Sequence, residues 1–183
     1  MPRTLVIADY DPAWVEMFEE EKARLLDVIR DQVIAIEHIG STSVPGLGAK
    51  PIIDILIGVR DLSDAALCIA PVESLGYEYI SKFENIMPFR RYFRKVRSDG
   101  EHTHHIHMVA ISHDFWTRHL LFRDYLRTHP DDAAAYEKVK RELASQFTGE
   151  TVNDYADAKS EIINAIMEKA RAWRGDVSNM GRL

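Results

Sequence analysis

His38-Ile39-Gly40-Ser41-Thr42-Ser43-Val44-Pro45-Gly46-Leu47-Gly48-Ala49-Lys50-Pro51-Ile52-Ile53-Asp54 lies where two runs of β-branched and aliphatic residues meet. The runs, 33–39 and 52–59, are predicted strands, and 40–51 is the connection between them. Three glycines, three hydroxyls and one lysine crowd into that connection. A turn of small residues lets backbone N–H groups approach an anion unobstructed, while hydroxyls add donors and a lysine adds charge. Gly40, Ser41, Thr42, Ser43 and Lys50 are therefore expected to hold a phosphate group. A tight structural loop is the alternative. The stretch is no Walker P-loop, because Ala49 precedes Lys50 and Pro51 follows it, where that motif needs Gly before the lysine and Ser or Thr after it. The Rossmann fingerprint fails as well.

Upstream, Asp11-Pro12 reads as an N-cap and first helical position, and Trp14, Phe18, Leu25 and Ile29 recur at helical spacing to about Gln32. Downstream, 63–75 reads as a helix that Pro71 kinks or splits, with Gly76 as its C-terminal cap. Residues 77–80, 89–96 and 104–111 are predicted strands, the last two paired as a hairpin through Ser98-Asp99-Gly100. From Ser112 the apolar period becomes helical: Trp116 and Leu120, then Tyr136, Val139, Leu143 and Phe147, then Tyr155, Ile162, Ile166 and Trp173. Breaks fall at His129-Pro130 and Thr148-Gly149, giving three closing helices. One domain over 1–174 is expected, with 175–183 as a flexible tail.

A strand, then Gly-Ser, then a second strand bearing Asp resembles the polymerase beta-like nucleotidyltransferase fold. The wording from His38 to Leu47 and from Lys50 to Ile55 is similar to that of the GrpB family. The likeness continues through Arg91-Tyr92-Phe93-Arg94-Lys95, His104 to Val109 and Phe122 to Arg127, and ends near Tyr155 and Lys159. It implies an α/β (α+β) fold, a mixed sheet flanked by helices with a C-terminal helical segment. It implies nucleotide chemistry as well, and a link to coenzyme A biosynthesis, since some family members are fused to dephospho-coenzyme A kinase.

Active nucleotidyltransferases of that fold carry two acids at i and i+2 on one strand and a third on a later strand, which together hold divalent metal. Here Asp54 shares its strand face with Ile52 and Leu56, so its partner at i±2 is apolar. A lone aspartate is a poor Mg²⁺ cage. A buried carboxylate still needs an answer to its charge, and Lys50, a histidine or a metal could supply it. His102, His104, His105 and His107 place half of the eight histidines within six residues. Alternation sends His105 and His107 to one face with Val109, and His104 to the other with Ile106 and Met108. The resemblance places His107 near the position of the third acid. Asp54, His105 and His107 together would form an N/N/O set for Zn²⁺, Mn²⁺, Ni²⁺ or Fe²⁺, better than for Mg²⁺. Histidines that are simply hydrogen-bonded in a half-buried strand are the alternative.

Arg90, Tyr92 and Arg94 alternate onto one side of their strand, where guanidinium groups and a ring suit a phosphorylated small molecule or a nucleotide. An edge strand kept soluble by charge is the other account. Arg123, Arg127 and Lys159 lie on helices, where charges are ordinarily solvated or paired. The 183 residues carry a formal charge of −6, which excludes a global cationic field for nucleic acid or anionic lipid. Cys68 has no partner for a disulfide, and no apolar run approaches the roughly 20 residues that span a bilayer. A cytoplasmic protein follows. Asp54 and Ser41 are the candidate catalytic residues of a metal-dependent nucleotidyl transfer. A non-catalytic nucleotide or metabolite binding module and a metal-dependent phosphoester hydrolase are the rivals.

Overall fold

The computed structural model describes residues 6–146, 155 and 158–180. Helix α1 (Ala13–Ile29) starts where Asp11 Oδ1 accepts the Ala13 N–H at 2.9 Å, and a 3₁₀ turn (Arg30–Gln32) ends it. Strands β1 (Val33–Ile39) and β2 (Ile53–Val59) pair antiparallel across the glycine-serine connection. The helix expected over 63–75 is two pieces, α2 (Leu62–Leu67) and α3 (Ile69–Glu73). Pro71 accounts for the split, since it has no N–H to give the Leu67 carbonyl four residues back. Strands β3 (Tyr77–Tyr79), β4 (Arg90–Val96) and β5 (His102–Ala110) complete the sheet. Helices α4 (Asp114–Thr128), α5 (Pro130–Gln146) and α6 (Ser160–Met180) close the chain. The break expected at Thr148-Gly149 lies outside the described residues. Helix α6 runs through Gly175 to Met180, into the stretch expected as a tail.

The sheet order is β1-β2-β5-β4-β3, with β2 and β5 parallel at the centre and every other pair antiparallel. The basic strand β4 is therefore interior, and β3 is the edge. The mixed α/β architecture expected from the sequence is the one observed. Among the described residues, no helix is long and apolar enough to cross a membrane.

Alternation on the central strands gives the sheet two different faces. Ile53, Ile55, Ile57, Phe93, Ile106 and Met108 form the main core with Trp14, Phe18, Leu25 and Ile29 of α1. Phe93 is fully buried there, so Phe93→Ala is expected to lower stability by about 3–5 kcal/mol in urea unfolding, with the sheet face opposite it unperturbed. On the other face Ile39, Leu56 and Val109 pack against Trp116 and Leu120 of α4. Gly58 permits that approach, because a Cβ there would meet the Trp116 ring at 2.8 Å. Helices α4, α5 and α6 form a second core with Val44 and Leu47 of the connection, which fastens the turn beneath them.

Candidate anion-binding site

The connection folds back on itself with its own polar groups. Gly40 has φ +72° and ψ −176°, a combination open in practice to glycine only, and a Cβ on it would lie 2.5 Å from Asp54 Oδ2. Ser43 Oγ donates to the Gly40 carbonyl at 2.6 Å, and Thr42 Oγ1 donates to the Ile52 carbonyl at 3.1 Å. Having spent its proton, Thr42 Oγ1 accepts from His38 Nε2 at 3.0 Å, while the His38 ring stacks on Phe18 at 4.7 Å. Burial pushes the His38 imidazole down to about 4. Two of the three hydroxyls expected to face an anion are thus occupied in holding the turn; the Tyr136 hydroxyl is hydrogen-bonded to the third, Ser41. Arg127 of α4 clamps the same turn, giving its Nε and Nη2 to the Ser43 carbonyl at 3.0 and 2.8 Å. Arg123 holds Glu37 at 2.7 Å and the His38 carbonyl at 3.1 Å.

Asp54 and His105 are register partners on β2 and β5, as are Leu56 and His107. Both imidazoles converge on the carboxylate: His105 Nδ1 lies 3.3 Å and His107 Nε2 3.9 Å from Asp54 Oδ1. The contact with Arg90 fixes the proton on His107. Arg90 Nη1, always a donor, lies 3.1 Å from His107 Nδ1, so His107 carries its hydrogen on Nε2, toward Asp54. His105 Nε2 meets His102 Nδ1 at 2.9 Å, which suits a hydrogen on His105 Nδ1, again toward Asp54. Burial pushes the Asp54 carboxyl up, but hydrogen bonds from His105 and His107 outweigh it and hold the group below the usual carboxylate range. Burial keeps His107 neutral, its pKa lowered despite the carboxylate. Of the three sequence candidates for Asp54's charge partner, the histidines hold the place.

Asp54 and His105 form one side of a cavity of about 90 Å³, with Ser41, Thr42 and Ile52 beside them. Three lysines line the same cavity: Lys50 from the connection, Lys140 from α5 and Lys159 from just before α6. Lys50 and Lys159 present their Nζ atoms to the Tyr155 ring, at 4.4 and 4.5 Å from its centroid. Lys140, 2% exposed, donates to the Gly48 carbonyl and lies over the Tyr136 ring. Burial, then the neighbouring charge of Lys159, brings Lys140 down to about 7 and Lys50 down to about 8. Burial lowers Lys159 as well. Among the described residues, Asp54 is the only carboxylate that lines the cavity.

The strand arginines divide. Arg90 stays on the site face, its guanidinium over the Tyr92 and Phe115 rings at 5.0 and 5.9 Å, and Tyr92 lies against both His105 and His107. Arg94 turns outward to Glu78, held through Nε and Nη2 at 2.7 Å. Lys140 and Lys159 were not legible as site residues. Lys140 carries one local signal: it falls on the buried stripe Ala133, Tyr136, Lys140, Ala144 of α5, and a lysine on a buried stripe needs a partner. The stripe expected through Val139 and Leu143 is displaced by one residue from it.

The donors do not fit a resident divalent metal as arranged. Leu56, fully buried, occupies the place of a partner acid. The His107 nitrogen that faces Asp54 bears a hydrogen rather than a free lone pair. Among the described residues no group of three or more His, Cys, Asp or Glu side chains is placed to hold a metal ion.

A mixed sheet beside a glycine-serine bend, with one carboxylate and three lysines lining the same small cavity, defines an α/β protein with a lysine-lined cavity. The chain belongs to the GrpB family: the family model described as GrpB protein matches residues 4–169. It is 42% identical to the UPF0157 protein YqkA of Bacillus subtilis over 97% of its length, and it spans only half of that relative. A crystal structure of the conserved protein GrpB from Enterococcus faecalis superposes with a TM-score of 0.77 at 37% identity, covering 92% of this chain and 99% of that one. More distantly, the chain is 27% identical to the dephospho-CoA kinase of Mycobacterium leprae over 89% of its length and 45% of that protein's.

Proposed function

We propose that this protein binds a phosphorylated small molecule or nucleotide, with a phosphate group in the cavity walled by Lys50, Lys140 and Lys159. The observation that carries this reading is the imbalance of charge among the described residues: three lysines and one carboxylate line about 90 Å³, and that carboxylate is already engaged by His105 and His107. Burial, then the charge of Lys159, lowers Lys50 to about 8 and Lys140 to about 7, and a nearby negative charge would raise them again. An anion in the cavity supplies it. Ser41 adds a hydroxyl beside the anion, while Gly40, Thr42 and Ser43 shape the turn that presents it. Arg90 and Tyr92 do not line this cavity; Tyr92 lies against His105, which does, and Arg90 bonds to His107 behind it.

Binding without nucleotidyl transfer is the better-supported form of this function. Transfer by a two-metal route needs a carboxylate where Leu56 stands, and a metal-dependent hydrolase needs a free lone pair where His107 carries its hydrogen. ATP with α-labelled phosphate should therefore bind without label passing to any product.

Sulfate, inorganic phosphate, ATP and dephospho-coenzyme A, the molecule in the name of the mycobacterial relative, are suitable thermal-shift probes. A ligand at about 100 times its Kd should stabilise the fold by about 2.7 kcal/mol. A bound anion raises the lysine pKa values, so binding takes up protons and weakens as pH rises through about 7 and about 8, the values of free Lys140 and Lys50. Sulfate does not itself titrate in this range, and its affinity should fall by up to about tenfold per pH unit for each proton taken up. Lys159→Met should weaken every anion probe by about tenfold or more. Equal affinity at pH 7 and pH 9 for sulfate would remove the lysines from the binding site.

A further inference from the structure

The lysine cavity contains an amine placed for covalent chemistry as well as for charge. Lys140 is committed to the Gly48 carbonyl. Lys50 is not: its Nζ has no hydrogen-bond acceptor or ion-pair partner among the described residues, and its neighbour is the face of the Tyr155 ring at 4.4 Å. Lys159 stands against the same ring at 4.5 Å. Two ammonium groups sharing one aromatic ring in a small cavity repel each other, and the cheapest relief is for one of them to lose its proton. A lysine made neutral by burial and by an adjacent cation is the usual form of an amine that attacks carbonyl carbon. Lys159 and the hydrogens that Lys140 does not give to Gly48, on the same cavity, can hold a phosphate on the aldehyde under attack.

We propose that Lys50 is a Schiff-base site, forming an imine with a phosphorylated aldehyde whose phosphate is held by Lys140 and Lys159. The proposal rests on the anion-binding reading of this cavity and adds a reaction to it. The Lys50 lone pair forms a bond to the aldehyde carbon, and the carbonyl oxygen takes a hydrogen from nitrogen to give the carbinolamine. That hydroxyl then takes the second nitrogen hydrogen and leaves as water, as the C=N bond forms. No oxidant, reductant or further reactant enters the balance. Burial and the Lys159 charge, which bring Lys50 to about 8, leave a useful fraction of neutral amine near pH 7.5.

The test is labelling of the full chain with pyridoxal 5′-phosphate near neutral pH, borohydride reduction, and peptide mapping by mass spectrometry. Lys50 should carry about tenfold more label than the surface residue Lys138, 77% exposed, because a larger fraction of it is neutral. Pyridoxal without its phosphate should lose that preference, inorganic phosphate should suppress it, and Lys50→Arg should abolish the imine absorbance. Label spread evenly over surface lysines, or concentrated on Lys140 or Lys159, overturns the proposal. A parallel thermal shift of the unmodified protein with inorganic phosphate separates the two claims. A shift without Lys50 labelling removes the imine and leaves anion binding; neither signal removes both.

Discussion

Replacing Gly40 with alanine is expected to cost about 3 kcal/mol or more of unfolding free energy, and with it the geometry of the cavity. Two effects add. The backbone there has φ +72° and ψ −176°, where an L-residue pays of order 1–3 kcal/mol. The new Cβ would also sit 2.5 Å from Asp54 Oδ2 and 3.1 Å from Asp54 Cβ, a distance no real contact sustains. Asp54 cannot retreat freely, because His105 and His107 hold its other oxygen. The two contributions separate in a double-mutant cycle measured by urea unfolding. With Asp54→Ala already present the carboxylate collision is gone, so Gly40→Ala should cost only the backbone part, about 1–3 kcal/mol. Strictly additive costs would mean that Gly40 and Asp54 do not touch, and the turn would have to be redrawn.

Acidification is expected to remove on the order of 5 kcal/mol between about pH 6.5 and pH 4, enough to unfold an ordinary domain. Burial pushes His38 and His119 each down to about 4, and lowers His104 and His107 too. In the unfolded chain these rings take protons near pH 6.5. Between that value and the folded one the unfolded state binds more protons, so stability falls as pH falls. His38 shows the physical reason: it is 6% exposed, stacked on Phe18 and bonded to Thr42, with no room for a hydrated imidazolium. Asp54 does not contribute in this window, since its folded pKa is depressed below the usual carboxylate range and its stabilisation is lost only as pH falls through that lower value. The check is a series of urea midpoints from pH 7.5 to pH 4. His38→Phe, with an uncharged ring in the same stack, should flatten the slope even where it lowers the midpoint at pH 7. An unchanged slope would mean that His38 is not kept neutral by its burial.

Local pattern carried the sheet face by face. Alternation alone separated His105 and His107 from His104, and the structure keeps them apart: His104 beside Tyr77 at 6.4 Å, the other two at Asp54. The same alternation put Arg90, Tyr92 and Arg94 on one side, yet Arg94 leaves the site because Glu78, its register partner on β3, lies within 2.7 Å. Strand parity says which way a side chain starts and nothing of the partner its far end meets. The hydroxyls of Thr42 and Ser43 show the same limit. Their type suits an anion, but backbone carbonyls of the turn reached them first.

What the sequence by itself determined is the strand-bend-strand unit, the lone Asp54 with Leu56 beside it, the paired imidazoles and membership of the GrpB family, because each is written in neighbouring residues with a period of two or a fixed spacing. What only the tertiary structure decided is the cavity. Lys140 reaches the bend from 92 residues away, and Lys159 from farther along the chain. A helical lysine has the same local signature whether solvent or a desolvated cavity receives it. The hydrogen on His107 was equally undecided, since Arg90, brought close only by folding, fixes which ring nitrogen carries it.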